Sequence, residues 1–177
     1  MATGDRVFMA KESTSQEILS KTNQIIEAGR EKPKRYGMRI NRLDSNPATR
    51  VKYILDAVGM TPAGMNYSGG GFDYGDWRDI WFVKNNRPVM LRTDGTVDYE
   101  LNHENHALKL TGGSSDIANV SYGGNAMSEI PLIWVKRYSI ANYDYVIFCE
   151  TQYDDTYKAY AHTDADGNIL PVTYFPM

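Results

Sequence analysis

The hydrophobic period of this chain changes at residue 36, from helical to strand spacing, and that change limits the folds open to it. Downstream, Tyr36, Met38 and Ile40 alternate with Gly37, Arg39 and Asn41, the two-residue period of a half-buried strand. Upstream, Glu12 to Ala28 contains neither Gly nor Pro, and its apolar residues recur at helical spacing. Between them Arg30 to Arg35 is almost wholly charged and interrupted by Pro33, the composition of an exposed connector. The expected organisation is an N-terminal arm over 1–11, a helix over 12–29, a charged linker over 30–35 and a β-rich head over 36–177. The expected class is α+β, mainly β, with an antiparallel, hairpin-built body.

The upstream helix has clear ends. Ser13-Thr14-Ser15 opens it, and Gln16 and Glu17 follow Ser13 and Thr14 at the three-residue spacing of a capping box. Gly29 suits the C′ position and Pro33 blocks continuation. Ile18, Thr22 and Ile25 fall on alternating core sites of a heptad, flanked by Leu19 and Ile26. Two heptads of isolated helix are marginal in water, so the stripe must dock on its own domain or on copies of itself. In the second case Ile18, Leu19, Thr22, Ile25 and Ile26 are the oligomerisation residues of a short parallel bundle. A closed homotrimer is then the expected symmetry.

In the head, Asn46-Pro47 offers a cap followed by proline at the first helical position. Val51, Ile54, Leu55 and Val58 recur at helical spacing, which predicts a helix from Pro47 to Val58, although Val51-Lys52-Tyr53 suits a short strand equally. Asp79–Lys84 and Arg87–Arg92 are short apolar runs, and Pro88 makes the second an edge strand or the start of one. Asp94-Gly95 predicts a hairpin turn before Val97, Tyr99 and Leu101. Ile130–Tyr138 and Tyr143–Thr151 form a second expected antiparallel pair, joined around Ser139 to Asn142. A last hairpin is expected to turn at Asp166-Gly167-Asn168.

Composition narrows the function. With 177 residues, 42% of them hydrophobic, the chain can bury one substantial core. Nineteen basic against 22 acidic residues leave a net charge of −3, which disfavours nucleic acid as the main ligand. The single Cys149 excludes an intramolecular disulfide framework and a thiolate zinc cluster. No apolar run approaches the roughly 18 residues of a membrane span, so membrane insertion is not expected. The polar opening Met1 to Asp5 lacks the pattern of a secretion signal.

Enzymatic signatures are weak. Ser114-Ser115-Asp116 lacks the strand, elbow and helix of a hydrolase serine. His103 and His106 stand three apart, close enough to share a metal on a helix, but Asn102 and Asn105 indicate a polar turn and an exposed histidine pair. Asp164, Asp166 and Asn168 resemble the start of a calcium loop without its closing glutamate, so a tight turn is expected. Gly69-Gly70-Gly71 is followed by no Gly-Lys-Ser or Gly-Lys-Thr and reads as a flexible loop. No catalytic residue, metal or cofactor is assigned. Trp134 and Cys149 read as core residues. Tyr67, Phe72, Tyr74, Trp77 and Trp81 lie among glycines and aspartates that cannot build a regular buried element. Some of these rings must be near the surface, and Tyr67, Tyr74 and Trp77 are the candidate glycan-stacking residues. The competing reading places them in the core of a loop-rich domain or in a subunit interface.

The segments Tyr36–Ile40, Asp56–Pro62, Asp94–Tyr99, Gly124–Met127 and Glu129–Trp134 resemble landmarks of the structural fibre proteins of tailed bacteriophages, both tail-fibre and head-fibre. The resemblance covers roughly residues 36 to 165. It implies a non-enzymatic virion component assembled in the host cytoplasm, with an N-terminal segment that anchors or trimerises and a β-rich domain presented outward. Its implied partners are copies of itself, other virion proteins and host surface glycans or proteins. Members of the family usually continue with a lectin-like lobe, so a short anchoring or decorating subunit is expected of this chain. A glycan-binding module of a receptor-binding protein and an envelope-degrading hydrolase are the alternatives.

Overall fold

The computed structural model describes residue 18, residues 20–21, 32–65 and 71–177. The chain divides into two units, Met1–Pro33 and Lys34–Met177. Of the expected oligomerisation residues, Leu19, Thr22, Ile25 and Ile26 lie outside the described residues, as do the arm over 1–11 and most of the helix over 12–29. Ile18 is described and exposed. Among the described residues no helix is long and apolar enough to cross a membrane.

The second unit is mainly β, and its strand pairs are antiparallel. One four-stranded sheet is built from β1 (Arg35–Asn41), β2 (Val51–Leu55), β8 (Trp134–Ile140) and β9 (Tyr143–Cys149), in the order β2-β1-β9-β8. The other contains β5 (Arg87–Arg92), β6 (Val97–Glu100), β7 (Gly124–Pro131) and β10 (Val172–Pro176), in the order β10-β7-β5-β6. A two-residue ribbon pairs β3 (Gly64–Met65) with β4 (Phe72–Asp73).

Alternation in β1 sorts the first sheet into two faces. Tyr36, Met38 and Ile40 share a face with Tyr53 of β2 and Phe148 of β9, because register pairs Met38 with Tyr53 and Tyr36 with Phe148. That face is covered by the segment after β4, a 3₁₀ turn at Gly75–Asp79 and the helical turn α2 (Trp81–Lys84). Tyr36 lies 6.4 Å from the Trp77 ring and 6.2 Å from Trp81, and Phe82 lies 5.6 Å from Phe148. On the opposite face Ile147 and Cys149 are buried against Tyr157, with Ile54, Trp134 and Tyr153 packed around them. Cys149 and Trp134 are therefore core residues, as the sequence predicts.

The helix expected from Pro47 to Val58 stops after one turn, α1 (Pro47–Arg50), capped by the Asn46 side chain on the Ala48 N–H. Val51 to Leu55 become β2, the alternative strand, because five residues in succession pair with β1. Ladder hydrogen bonds and the burial of Ile54 outweigh a helical stripe that would have faced no partner. Leu55 ends the strand in the left-handed region at φ 57°.

Asp94-Gly95 makes the expected hairpin between β5 and β6. Gly95 has φ 85°, and the Asp94 carboxylate accepts from both the Thr96 N–H and hydroxyl. Pro88 starts a strand that is central rather than at an edge. Its carbonyl accepts from the Leu101 N–H at 2.8 Å, so the missing N–H of proline falls on the β6 side, just past the end of that strand at Glu100. The expected Ile130–Tyr138 strand is in fact two. β7 closes the second sheet at Pro131, and after Leu132 and Ile133 the chain enters the first sheet as β8. The Leu132 N–H donates to the Pro171 carbonyl, and its carbonyl accepts from the Trp81 indole. Asp166-Gly167-Asn168 forms the expected tight turn, with Asp164 Oδ1 accepting from the Asp166 and Asn168 N–H groups.

Candidate functional site

The aromatic segment that the sequence marks for recognition is positioned where Gly75 and Asp76 meet the Thr61–Pro62 backbone. Gly75 has φ 55°, and a Cβ there would lie 2.5 Å from the Thr61 carbonyl oxygen, so only glycine lets the segment cross the Thr61–Pro62 backbone. The Asp76 carboxylate accepts from the Thr61 N–H at 2.6 Å, and the Asp76 N–H donates back to the Thr61 carbonyl. This clamp separates the rings into two sets.

Trp77 turns inward. It is 8% exposed, its indole N–H donates to the Tyr53 hydroxyl at 2.9 Å, and its ring meets Tyr53 edge-on at 5.5 Å. The glycan-stacking assignment of Trp77 is therefore corrected: a buried ring with its one donor satisfied by the core offers no face to a sugar. Trp81 is half-buried, its N–H taken by the Leu132 carbonyl. Tyr74 turns outward and is 45% exposed, set edge-to-face against the equally open Phe72 at 4.9 Å. Tyr67 lies outside the described residues. Sequence reasoning included Phe72 among the rings but did not select it. The two-residue spacing of Phe72 and Tyr74 is the signal that pairs them.

Phe72 and Tyr74 form one wall of an open cleft of about 990 Å³. Phe82 and Ile130 supply apolar floor, and His103 and Glu104 stand in the lining as polar groups. Beside the aromatic pair Asp73 and Arg78 make an exposed ion pair at 3.6 Å. At the floor the Ser128 hydroxyl donates to Asn86 Oδ1 at 2.7 Å. His103 is tied by Nε2 to Glu100 at 2.6 Å, and Glu100 in turn lies 3.4 Å from Arg87. Such a lining can stack a ring and hydrogen-bond around it.

The remaining chemistry-bearing residues do not converge. The Ser115 hydroxyl donates to the His106 backbone carbonyl at 2.6 Å, so its proton is committed to the loop. His103 is exposed, and His106 is half-buried in the same polar turn. No three His, Cys, Asp or Glu side chains gather in metal-binding geometry among the described residues. His162 is buried with no partner for Nδ1, and burial pushes its pKa down.

Several perturbed groups fasten loops rather than face the cleft. Asp98 accepts from Arg92 at 2.6 Å and from the Tyr122 hydroxyl at 3.0 Å, which lowers its pKa. Burial, then the Asp98 carboxylate, pushes the Tyr122 phenol up to about 12. Tyr99 accepts from the Asp116 N–H and donates to its carboxylate, with Lys109 4.3 Å above the Tyr99 ring. These bonds tie the long segment after β6 back onto the β5–β6 hairpin. No known family model, curated protein or solved structure matches this chain.

Proposed function

We propose that this chain is a structural subunit of a bacteriophage particle, a fibre or decoration protein that works by assembly. The resemblance in the head supports that origin, and one observation supports assembly. Among the described residues ten apolar residues are buried, while twenty large apolar ones are exposed, all but Ile18 of them in the Lys34–Met177 unit. Leu43, Val58, Leu110, Val120, Ile140 and Tyr160 are each more than half exposed. Isolated apolar residues on a surface are ordinary, but exposed ones outnumbering the core is the balance of a subunit that buries surface against neighbours. The N-terminal segment anchors or trimerises the subunit, and the β-rich unit faces outward.

Light scattering on the full chain tests assembly. A closed oligomer, with a trimer expected, supports the reading, and monomers at every concentration reject it. Replacing Ile18 and Ile25 by Asp yields monomers if the helical stripe holds the copies together. Antibody labelling of intact particles in the electron microscope tests the virion assignment.

The exposed Phe72–Tyr74 pair on the cleft favours a second reading, a glycan-binding module. Tyr74→Ala then abolishes binding to host polysaccharide at unchanged thermal stability. A large loss of stability returns that ring to a structural role.

A further inference from the structure

We propose that Arg39, Arg50 and Lys52 form a binding site for a phosphate group. The β1–β2 register places Arg39 directly opposite Lys52, two cations facing each other across one ladder. Like charges so placed repel, and a fold tolerates them best where an anion joins them. Alternation puts Asn41 on the face of Arg39, and Tyr143 of β9 stands directly opposite Asn41. Arg50, the last residue of α1, precedes Lys52 by two and completes the group. Together they line a pocket of about 130 Å³. At roughly 30 Å³ per water this is room for a small oxyanion and attendant solvent.

The cations are held ready. The Arg39 guanidinium carbon lies 4.6 Å from the centroid of the Tyr143 ring, a contact that leaves its N–H groups unpaired. Arg42, Arg78, Arg87 and Arg92 each have a carboxylate within 4 Å. Among the described residues none of Arg39, Arg50 and Lys52 has one.

The one acid in the lining, Asp44, is already engaged. Its Oδ2 accepts from the Thr49 hydroxyl at 2.7 Å and its Oδ1 from the Asn46 N–H at 2.9 Å. Those two hydrogen bonds, then Arg50 and Lys52, hold its pKa below the usual carboxylate range, so it stays charged. Three cations against one anion leave a local charge of +2 on a chain whose net charge is −3. That matches a phosphate dianion, and guanidinium groups bind phosphate oxygens through paired N–H donors. The site does not depend on the assembly reading.

The test titrates the full chain with inorganic phosphate at constant ionic strength, following amide chemical shifts and thermal stability. Saturable shifts confined to β1, α1 and β2 support the site. Lys52→Gln should weaken binding at least tenfold yet raise the melting temperature without phosphate, because it removes the Arg39–Lys52 repulsion. Arg50→Gln, outside the ladder, should weaken binding and leave the fold unchanged. A parallel titration with dimethyl phosphate separates the sources: tighter binding of the monoanionic diester assigns the site to a polymer backbone, and tighter inorganic phosphate to a free or terminal group. Responses reproduced by sodium chloride, or unaltered by both variants, overturn the proposal.

Discussion

Tyr174→Phe removes a single oxygen from the second sheet, and the structure fixes what that oxygen does. Register sets Tyr174 of β10, Glu129 of β7 and Arg87 of β5 directly opposite one another across three strands. The Glu129 carboxylate is only 6% exposed, so solvent cannot replace a lost partner. Its Oε1 accepts from the Arg87 guanidinium, with Nε at 2.8 Å, and its Oε2 accepts from the Tyr174 hydroxyl at 3.0 Å. Hydrogen bonds to a charged group contribute about 1.5–3 kcal/mol, and Phe keeps the ring and its packing. The expected loss is therefore about 2 kcal/mol, or about 4–8 °C in melting temperature for a protein of this size. Arg87→Met should cost more than Tyr174→Phe, because it leaves the buried Glu129 carboxylate without its counter-charge. The double variant should show a coupling of about 1 kcal/mol, since both partners share one carboxylate. Urea unfolding followed by tryptophan fluorescence, at one protein concentration, measures all four proteins. A Tyr174→Phe loss below 0.5 kcal/mol would refute the claim that this carboxylate depends on the hydroxyl.

Further expectations concern single side chains. Trp77→Ala should cost about 3–5 kcal/mol, as deletion of a buried aromatic does, while Tyr74→Ala stays within about 1 kcal/mol; comparable losses by calorimetry would contradict the inward and outward assignments. His162 is held neutral by burial, its pKa below the unfolded value of about 6.5. The unfolded chain then takes up the proton first, so stability is full above about pH 6.5 and falls as pH drops through that value toward the folded pKa, by up to about 1.4 kcal/mol per pH unit. His162→Phe should flatten that acid limb in melts from pH 7 to 5, and an unchanged slope would assign it to other groups. Ala141 sits at φ 49° in the two-residue β8–β9 loop, a region that costs a side chain about 1–2 kcal/mol. Ala141→Gly should gain about 0.5–1 kcal/mol after the entropy of glycine is charged against it, and a lower melting temperature would show that Ala141 is not strained.

The sequence was legible where one local signal decides the outcome. Alternation alone identifies β1, and Asp94-Gly95 alone identifies a hairpin, because both depend on residues adjacent in the chain. Legibility fails where a distant partner decides. Val51-Lys52-Tyr53 suits a helix and a strand alike, and only the neighbouring β1 selects the strand and carries it on to Leu55. Ile130 to Tyr138 is one apolar run whose division at Pro131 reflects two sheets that no window of sequence displays. In the aromatic segment Trp77 and Tyr74 differ in fate because Tyr53, 24 residues earlier, takes the Trp77 N–H. The anion pocket was invisible for the same reason. Arg39 and Lys52 are unremarkable in sequence and become a pair only through register.

The passage from β7 to β8 carries a mechanical consequence. Leu132 and Ile133 are the only residues between Pro131 in one sheet and Trp134 in the other. Three Cα–Cα steps of 3.8 Å can span no more than about 11 Å, so this corner has almost no slack. Tension applied to one sheet would reach the other through two residues, while the Trp81 and Pro171 contacts to Leu132 resist hinging there. A β-rich unit joined in this way transmits a pull from sheet to sheet as a stiff element, with its compliance left to its outer loops.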